Sequence, residues 1–122
     1  MRRVIGLGGV FFKAQDPEKL YAWYEKHLGI KRHESAPPMF FNKGDESGVV
    51  VWSIFPANTK YFEPGTAPFM LNYRVENLDA LLEELAREGV SIDPKREDHE
   101  YGKFGWINDP EGNKIELWEP KG

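Results

Sequence analysis

The two halves of the 122-residue chain show the same order of predicted elements, and this internal repeat limits the possible folds more than any other feature. In each half an apolar strand precedes a helix that begins at a capping side chain, Asp16 in the first half and Asn77 in the second. The two caps are 61 residues apart (77 − 16). The same offset aligns the apolar helix positions Leu20, Tyr21 and Tyr24 with Leu81, Leu82 and Leu85. A repeat of this length predicts two supersecondary modules rather than a solenoid.

Turn and breaker residues divide each half into elements. The first helix has Pro17 at its first position and ends at Gly29, and the second ends at Gly89. Apolar and aromatic runs between turns predict strands at 3–14, 39–42, 49–55, 69–75, 103–107 and 114–119, with a short one around 90–92. Residues 56–68 contain three prolines and are predicted to link the halves. The pattern predicts one α+β domain over residues 1–122, with βαβββ modules at about 1–55 and about 69–122. These form a cupped mixed sheet with the helices on its outer face.

Composition excludes several classes of protein. Acidic residues outnumber basic ones 20 to 16, which argues against a nucleic-acid partner. The absence of cysteine excludes disulfides, cysteine nucleophiles, thiolate zinc sites and iron–sulfur clusters. No apolar run reaches the ~20 residues that a membrane helix needs. We therefore predict a cytoplasmic protein without a membrane partner.

Two stretches of the sequence resemble one family. Residues 16–29, with their Asp-Pro-Glu-Lys start and Leu-Gly end, and residues 109–117, Asp-Pro-Glu-Gly-Asn-Lys-Ile-Glu-Leu, resemble the vicinal oxygen chelate superfamily. That superfamily contains glyoxalase I, extradiol dioxygenases and bleomycin-resistance proteins. The resemblance implies paired modules around a small-molecule site, commonly in a homodimer, so a small organic ligand and a second copy of the chain are the expected partners.

The resemblance also implies where metal ligands would lie. In metal-binding members they occupy four strand positions, which fall here at Gly9, near Val50, at Met70 and at Glu116. Only Glu116 could bind a divalent ion, whereas catalytic zinc or iron sites usually have three protein ligands. The three histidines, His27, His33 and His99, are predicted to lie at the surface. We therefore predict neither a metal nor another cofactor.

Strand alternation predicts which side chains face the cup. If Ile115 and Leu117 pack on a helix, Glu116 and Trp118 point the other way. Three arguments predict the ligand-binding residues: strand alternation, the internal repeat and, for Trp106, the resemblance. The predicted residues are Phe11, Phe40, Trp52, Asn72, Arg74, Tyr101, Trp106 and Trp118. Alternatively, these aromatic residues fill a core or a dimer interface, and Tyr101 belongs to a solvated charged loop.

Glu116 is the candidate catalytic residue, and the alternative is a structural ion pair with Arg74. Two functions are compatible with these residues. One is a metal-free protein that binds a small molecule. The other is a lyase or isomerase of the glyoxalase type, in which Glu116 acts as general acid or base. A metal-dependent enzyme whose ligands are aligned differently is a third alternative.

Overall fold

The computed structural model describes residues 3–30, 40–42 and 49–121, and for 40–42 and 49 it describes the backbone alone. These ranges form a single mixed sheet of seven strands and two helices. In chain order the elements are β1 (Val4–Ala14), α1 (Pro17–Leu28), β2 (Phe40–Asn42), β3 (Val49–Pro56), β4 (Phe69–Val75), α2 (Leu78–Arg87), β5 (Ser91–His99), β6 (Gly102–Asn108) and β7 (Lys114–Pro120).

Both helices begin at the predicted caps. The Asp16 carboxylate accepts a hydrogen bond from the backbone N–H of Lys19 at 3.2 Å, and the Asn77 side chain accepts one from Ala80 at 3.1 Å. Gly29 adopts φ 70° at the end of α1, a left-handed conformation that favours glycine. Local sequence signals therefore predict both helix starts correctly.

The two halves meet at the centre of the sheet. The strand order is β2-β3-β1-β4-β7-β6-β5, with β1 antiparallel to β4. On either side of this pair, β1 lies parallel to β3 and β4 lies parallel to β7. The second half has the predicted order βαβββ, and the described residues of the first half have the order βαββ. The predicted α+β class and its paired modules are confirmed. The two modules of one chain together form the single sheet.

The sheet has two different apolar faces. On the helix side of the second half, α2 packs on β7 through a core of Val75, Leu78, Leu81, Leu82 and Leu117. Full burial of each such side chain contributes about 1.5–3 kcal/mol to folding. The opposite, concave face, which we call the cup, has a second core of Phe11, Val51, Phe62, Met70, Trp106 and Trp118.

Two segments differ from the sequence prediction. Residues 56–68 do connect the halves, but they also pack onto the cup, where Phe62 is only 1% exposed. The short strand predicted around 90–92 extends to His99 as β5, which pairs with β6. His99 therefore lies at the end of a strand. Neither helix of the described ranges, at 12 and 10 residues, could cross a membrane.

Candidate functional site

A row of paired residues crosses the middle of the cup. Gly9 pairs with Val51 on one side and with Asn72 on the other. Asn72 in turn pairs with Glu116, and Glu116 with Trp106. Glu116 therefore lies on the cup face of the central strands, as strand alternation predicts, and its position follows from backbone register.

Glu116 is the centre of a buried hydrogen-bond network. Its side chain is only 2% exposed. Oε1 accepts hydrogen bonds from the Tyr61 hydroxyl and, at 2.9 Å, from Trp106 Nε1. Oε2 accepts one from Asn72 Nδ2 at 2.5 Å. Because a buried carboxylate without partners is costly, these three donors are what allow an acid at this place.

All three donors are neutral groups, so the charge of the carboxylate has no close ion pair within the described residues. Burial raises the pKa of Glu116, and the hydrogen bonds from Tyr61, Asn72 and Trp106 oppose that rise. Lys114 also opposes it through its charge. The Lys114 ammonium donates to the Tyr61 backbone carbonyl at 2.7 Å, and burial lowers the pKa of this lysine. The pKa of the Tyr61 hydroxyl is raised by burial and by the negative charge of Glu116.

The raised pKa of Glu116 predicts a particular pH dependence of stability. Above the ordinary glutamate pKa, near 4.3, the folded state holds this proton more tightly than the unfolded state does, so stability falls as pH rises. Glu116→Gln removes this titration. Relative to the variant, wild type should lose about 1.4 kcal/mol of unfolding free energy per pH unit until the pH passes the raised pKa. Urea denaturation of both proteins between about pH 4.5 and about pH 8 measures this difference. A difference that stays constant, or that grows in favour of wild type, would contradict the prediction.

A cavity of about 160 Å³ opens beside Glu116. Residues from both halves line it, and six of the ten are aromatic. Two ring pairs stack in parallel along it, Phe55 with Tyr61 at 5.4 Å and Phe104 with Trp118 at 5.9 Å between centroids. The lining residues are Phe11, Val51, Ser53, Phe55, Tyr61, Asn72, Tyr101, Phe104, Glu116 and Trp118.

Five of the predicted site residues come together at this cavity: Phe11, Asn72, Tyr101, Glu116 and Trp118. Tyr101 is 45% exposed and lies at the rim, where its backbone carbonyl accepts a hydrogen bond from Trp118 Nε1 at 3.0 Å. Their role in ligand binding stays a prediction.

Trp106 and Arg74 are not among the residues that line the cavity. Trp106 is 1% exposed and contacts Glu116 through its indole N–H, so it supports the acid instead of facing the cavity. Arg74 lies on the cup face next to Gly6, where an added Cβ would be 2.5 Å from Arg74 Nη2. The described hydrogen-bond donors to Glu116 are neutral, so the proposed ion pair with Arg74 is not the way this carboxylate is satisfied. Phe40 lies in β2 by its backbone, and its side chain is outside the described residues.

The prediction that Trp52 faces the cup is wrong. Its ring packs instead on α1, 5.7 Å from Tyr21 and 4.9 Å from Tyr24 between centroids. The cause lies in the register: the internal repeat predicted Trp52 as a cup residue by matching it to Trp118, 66 residues further along the chain (118 − 52). A change of register by one residue, or by any odd number of residues, moves a side chain to the other face of a sheet.

The strand pairs give the correct offset. Phe11 and Asn72 correspond to each other at the offset of 61. Phe11 pairs with Ser53 in the first half, and Asn72 pairs with Glu116 in the second. Ser53 is therefore the counterpart of Glu116, at an offset of 63 (116 − 53). Trp52 then corresponds to Ile115, on the helix side of the sheet.

Sequence reasoning missed Tyr61, which donates directly to Glu116. It lies in residues 56–68, where prolines and glycine suggested only a connection. The available signal was the aromatic pair Tyr61-Phe62, since a solvated linker has no need of two adjacent large rings. Val51, Ser53, Phe55 and Phe104 also line the cavity without having been predicted as site residues.

The described residues do not fit the metal centre implied by the resemblance. With the corrected register the four positions are Gly9, Ser53, Met70 and Glu116, which supply one carboxylate and one hydroxyl. A Cβ at Gly9 would lie 2.3 Å from the Val51 carbonyl oxygen, so no ligand side chain could project there without moving β1 from β3. Both oxygens of Glu116 already accept hydrogen bonds.

Two of the histidines do not complete such a centre. His27 is on α1, beside Trp23. His99 hydrogen-bonds Glu97 at 2.8 Å and stacks on Tyr101. No group of three or more His, Cys, Asp or Glu side chains converges within the part of the chain that the structure describes. His33 lies outside that part.

Comparison with known proteins agrees with this architecture. Methylmalonyl-CoA epimerase from Mycobacterium tuberculosis has 20% identity and a TM-score of 0.68, over 100% of this chain and 92% of that one. The 2,3-dioxygenase LapB from Pseudomonas sp. KL28 has 22% identity and a TM-score of 0.71, over 100% of this chain and 43% of that one. The Mn(II)-bound glyoxalase from Novosphingobium aromaticivorans has 19% identity and a TM-score of 0.67, over 98% of this chain and 40% of that one. At these identities the likeness shows a shared fold.

No curated protein matches the sequence. A family model does match, and it spans residues 7–117, which cover most of both modules and all but one of the residues that line the cavity, Trp118. The chain belongs to the Glyoxalase/Bleomycin resistance protein/Dioxygenase superfamily.

Proposed function

We propose that this protein binds a small, largely aromatic or apolar organic molecule in the cup without a metal ion. The observation that carries the proposal is the cavity beside Glu116, which has largely aromatic walls and a few polar groups, among them the hydrogen-bonded cluster of Glu116, Asn72 and Tyr61. Small-molecule sites usually combine a predominantly apolar lining with a few placed polar groups of this kind. The cavity of about 160 Å³ suits a ligand built on one ring rather than a large metabolite.

Binding can be tested with benzyl alcohol, a one-ring probe with a hydroxyl group. Wild type should bind it at millimolar concentration, with a change in tryptophan fluorescence because Trp118 lines the cavity. Because Ser53 is buried at the cavity, Ser53→Leu places a larger side chain there and should abolish binding. The variant should stay folded, which circular dichroism checks. Ser91→Leu is the matched control, because Ser91 is exposed on β5. Binding that is absent in wild type, or unaffected by Ser53→Leu, would contradict the proposal.

Metal content gives a separate prediction. Because the four positions supply one carboxylate and one hydroxyl, we expect far less than one equivalent of zinc, nickel, iron or manganese per chain. Elemental analysis of purified, untagged protein, before and after incubation with each ion and gel filtration, measures this. About one equivalent that survives gel filtration in wild type and is lost in Glu116→Gln would contradict it.

A second candidate function is general acid–base catalysis by Glu116. Its support is that burial raises the pKa of this carboxyl toward the range in which an acid exchanges protons near neutral pH. Mass spectrometry of compounds that copurify with the protein would identify a substrate. Exchange of a C–H proton of that compound in D2O, present in wild type and absent in Glu116→Gln, would favour catalysis over binding alone.

Homodimerisation also stays a proposal. The cavity is lined by residues of one chain, so a second copy is not needed to complete its described walls. Light scattering at micromolar concentration tests whether two copies pair.

A further inference from the structure

We infer that the molecule bound in the cup is a small organic cation with at least one N–H group, such as a protonated amine. This inference rests on the proposed binding function and specifies the chemical class of the ligand. Three independent features of the cavity support it, namely the charges of its lining, an unpaired acceptor, and the arrangement of its rings.

The first feature is charge. Among the ten residues that line the cavity, Glu116 is the one carboxylate, and none is lysine, arginine or histidine. The donors to Glu116 are a phenol, an amide and an indole, which orient the carboxylate but carry no positive charge. Lys114 is turned to the Tyr61 carbonyl and lies over the Tyr61 and Trp106 rings, 5.3 and 5.4 Å from their centroids. When Glu116 is ionised, a cationic ligand would therefore provide the close counter-charge that this part of the chain lacks, and binding of such a ligand would favour the ionised form.

The second feature is an acceptor without a donor. Asn72 is 1% exposed, and its Nδ2 is used for the bond to Glu116. Its Oδ1 is buried and has no hydrogen-bond partner within the described structure. Buried polar atoms are nearly always paired, so this oxygen, which lies close to Gly8 on a residue that lines the cavity, is an acceptor whose partner the described chain does not supply. Asn72 and Glu116 are neighbours on adjacent strands and both line the cavity, so an N–H group of a ligand bound beside Glu116 would also be close to this unpaired acceptor.

The third feature is the ring arrangement. Phe55 and Tyr61 form one stacked pair and Phe104 and Trp118 another, and Phe11 lies 5.6 Å from Phe55. Aromatic faces attract ammonium groups, and most strongly when water is excluded. The same lining has no cationic side chain to pair with a carboxylate or phosphate, which an ionised Glu116 would also repel. The lining therefore favours cations over anions of the same shape.

Three probes of nearly equal shape test this inference by calorimetry at neutral pH: benzylamine, which is then a cation, neutral benzyl alcohol, and anionic benzoate. We expect benzylamine to bind at least about tenfold more tightly than benzyl alcohol, from cation–π contact and charge-assisted hydrogen bonds. Benzoate should bind at least about tenfold more weakly than benzyl alcohol, because like charges oppose each other in a poorly solvated site. This ranking is measured in wild type and depends on no variant.

Variants then locate the preference. Glu116→Gln should reduce the preference for benzylamine over benzyl alcohol to within about threefold, since the carboxylate charge is gone while its shape is kept. Glu111→Gln makes the same change of net charge in an exposed turn and should leave the preference intact. If wild type binds benzyl alcohol as tightly as benzylamine, or if Glu111→Gln removes the preference as well, the inference is wrong and the proposed binding function survives. If none of the three probes binds, both are wrong.

Discussion

Replacement of Trp106 by alanine should reduce the free energy of unfolding by about 3–5 kcal/mol, the range for removal of a large buried aromatic side chain. Trp106 is 1% exposed and belongs to the core of the cup. The change also removes the indole N–H that donates to Glu116 Oε1 at 2.9 Å, which leaves a buried carboxylate with one donor fewer. Chemical denaturation with fluorescence or circular dichroism detection measures the loss.

Trp23→Ala is the matched control for this prediction. Trp23 is 50% exposed on α1, where its described ring contacts are with Tyr24 and His27. The same chemical change there should cost less than about 1 kcal/mol. Equal losses at the two positions would show that Trp106 is not the buried support of Glu116 that the structure describes.

Replacement of Gly9 by alanine should cost about 3 kcal/mol, although it adds only one methyl group. The new Cβ would lie 2.3 Å from the carbonyl oxygen of Val51, and this oxygen belongs to the backbone of the neighbouring strand. Backbone cannot turn away as a side chain can, so β1 and β3 would have to separate at the centre of the sheet. The midpoint of urea denaturation measures this loss.

Gly6→Ala provides the comparison, since Gly6 lies on the same strand. Its added Cβ would meet the far end of the Arg74 side chain, which is flexible and can move aside. We expect a cost below about 1 kcal/mol for Gly6→Ala. A similar small cost for Gly9→Ala would mean that β1 tolerates a side chain there, and it would weaken the argument that a metal ligand cannot project from this position.

Much of the architecture follows from local signals in the sequence. Asp16 and Asn77 are helix caps because their short side chains satisfy the first free N–H groups of a helix, whatever the rest of the chain does. The repeat in the order of elements then implies two similar modules. Alternation within one strand also correctly assigns Glu116 and Trp118 to one face and Leu117 to the other, because the period of two depends only on the strand itself.

The placement of the site depended on contacts between distant segments. Trp52 packs on α1 because the pairing of β3 with β1 makes Ser53, and not Trp52, the counterpart of Glu116. Pairing register is a property of two strands together, so neither strand alone reveals it. Tyr61 reaches Glu116 across 55 residues of sequence, from a segment whose local composition indicates only turns. The sequence by itself determined the modules, their helices and the faces of individual strands, since these arise from near neighbours in the chain. The tertiary structure alone decided which neutral groups surround Glu116 and which rings enclose the cavity, because burial and hydrogen bonding there join strands that the sequence keeps apart.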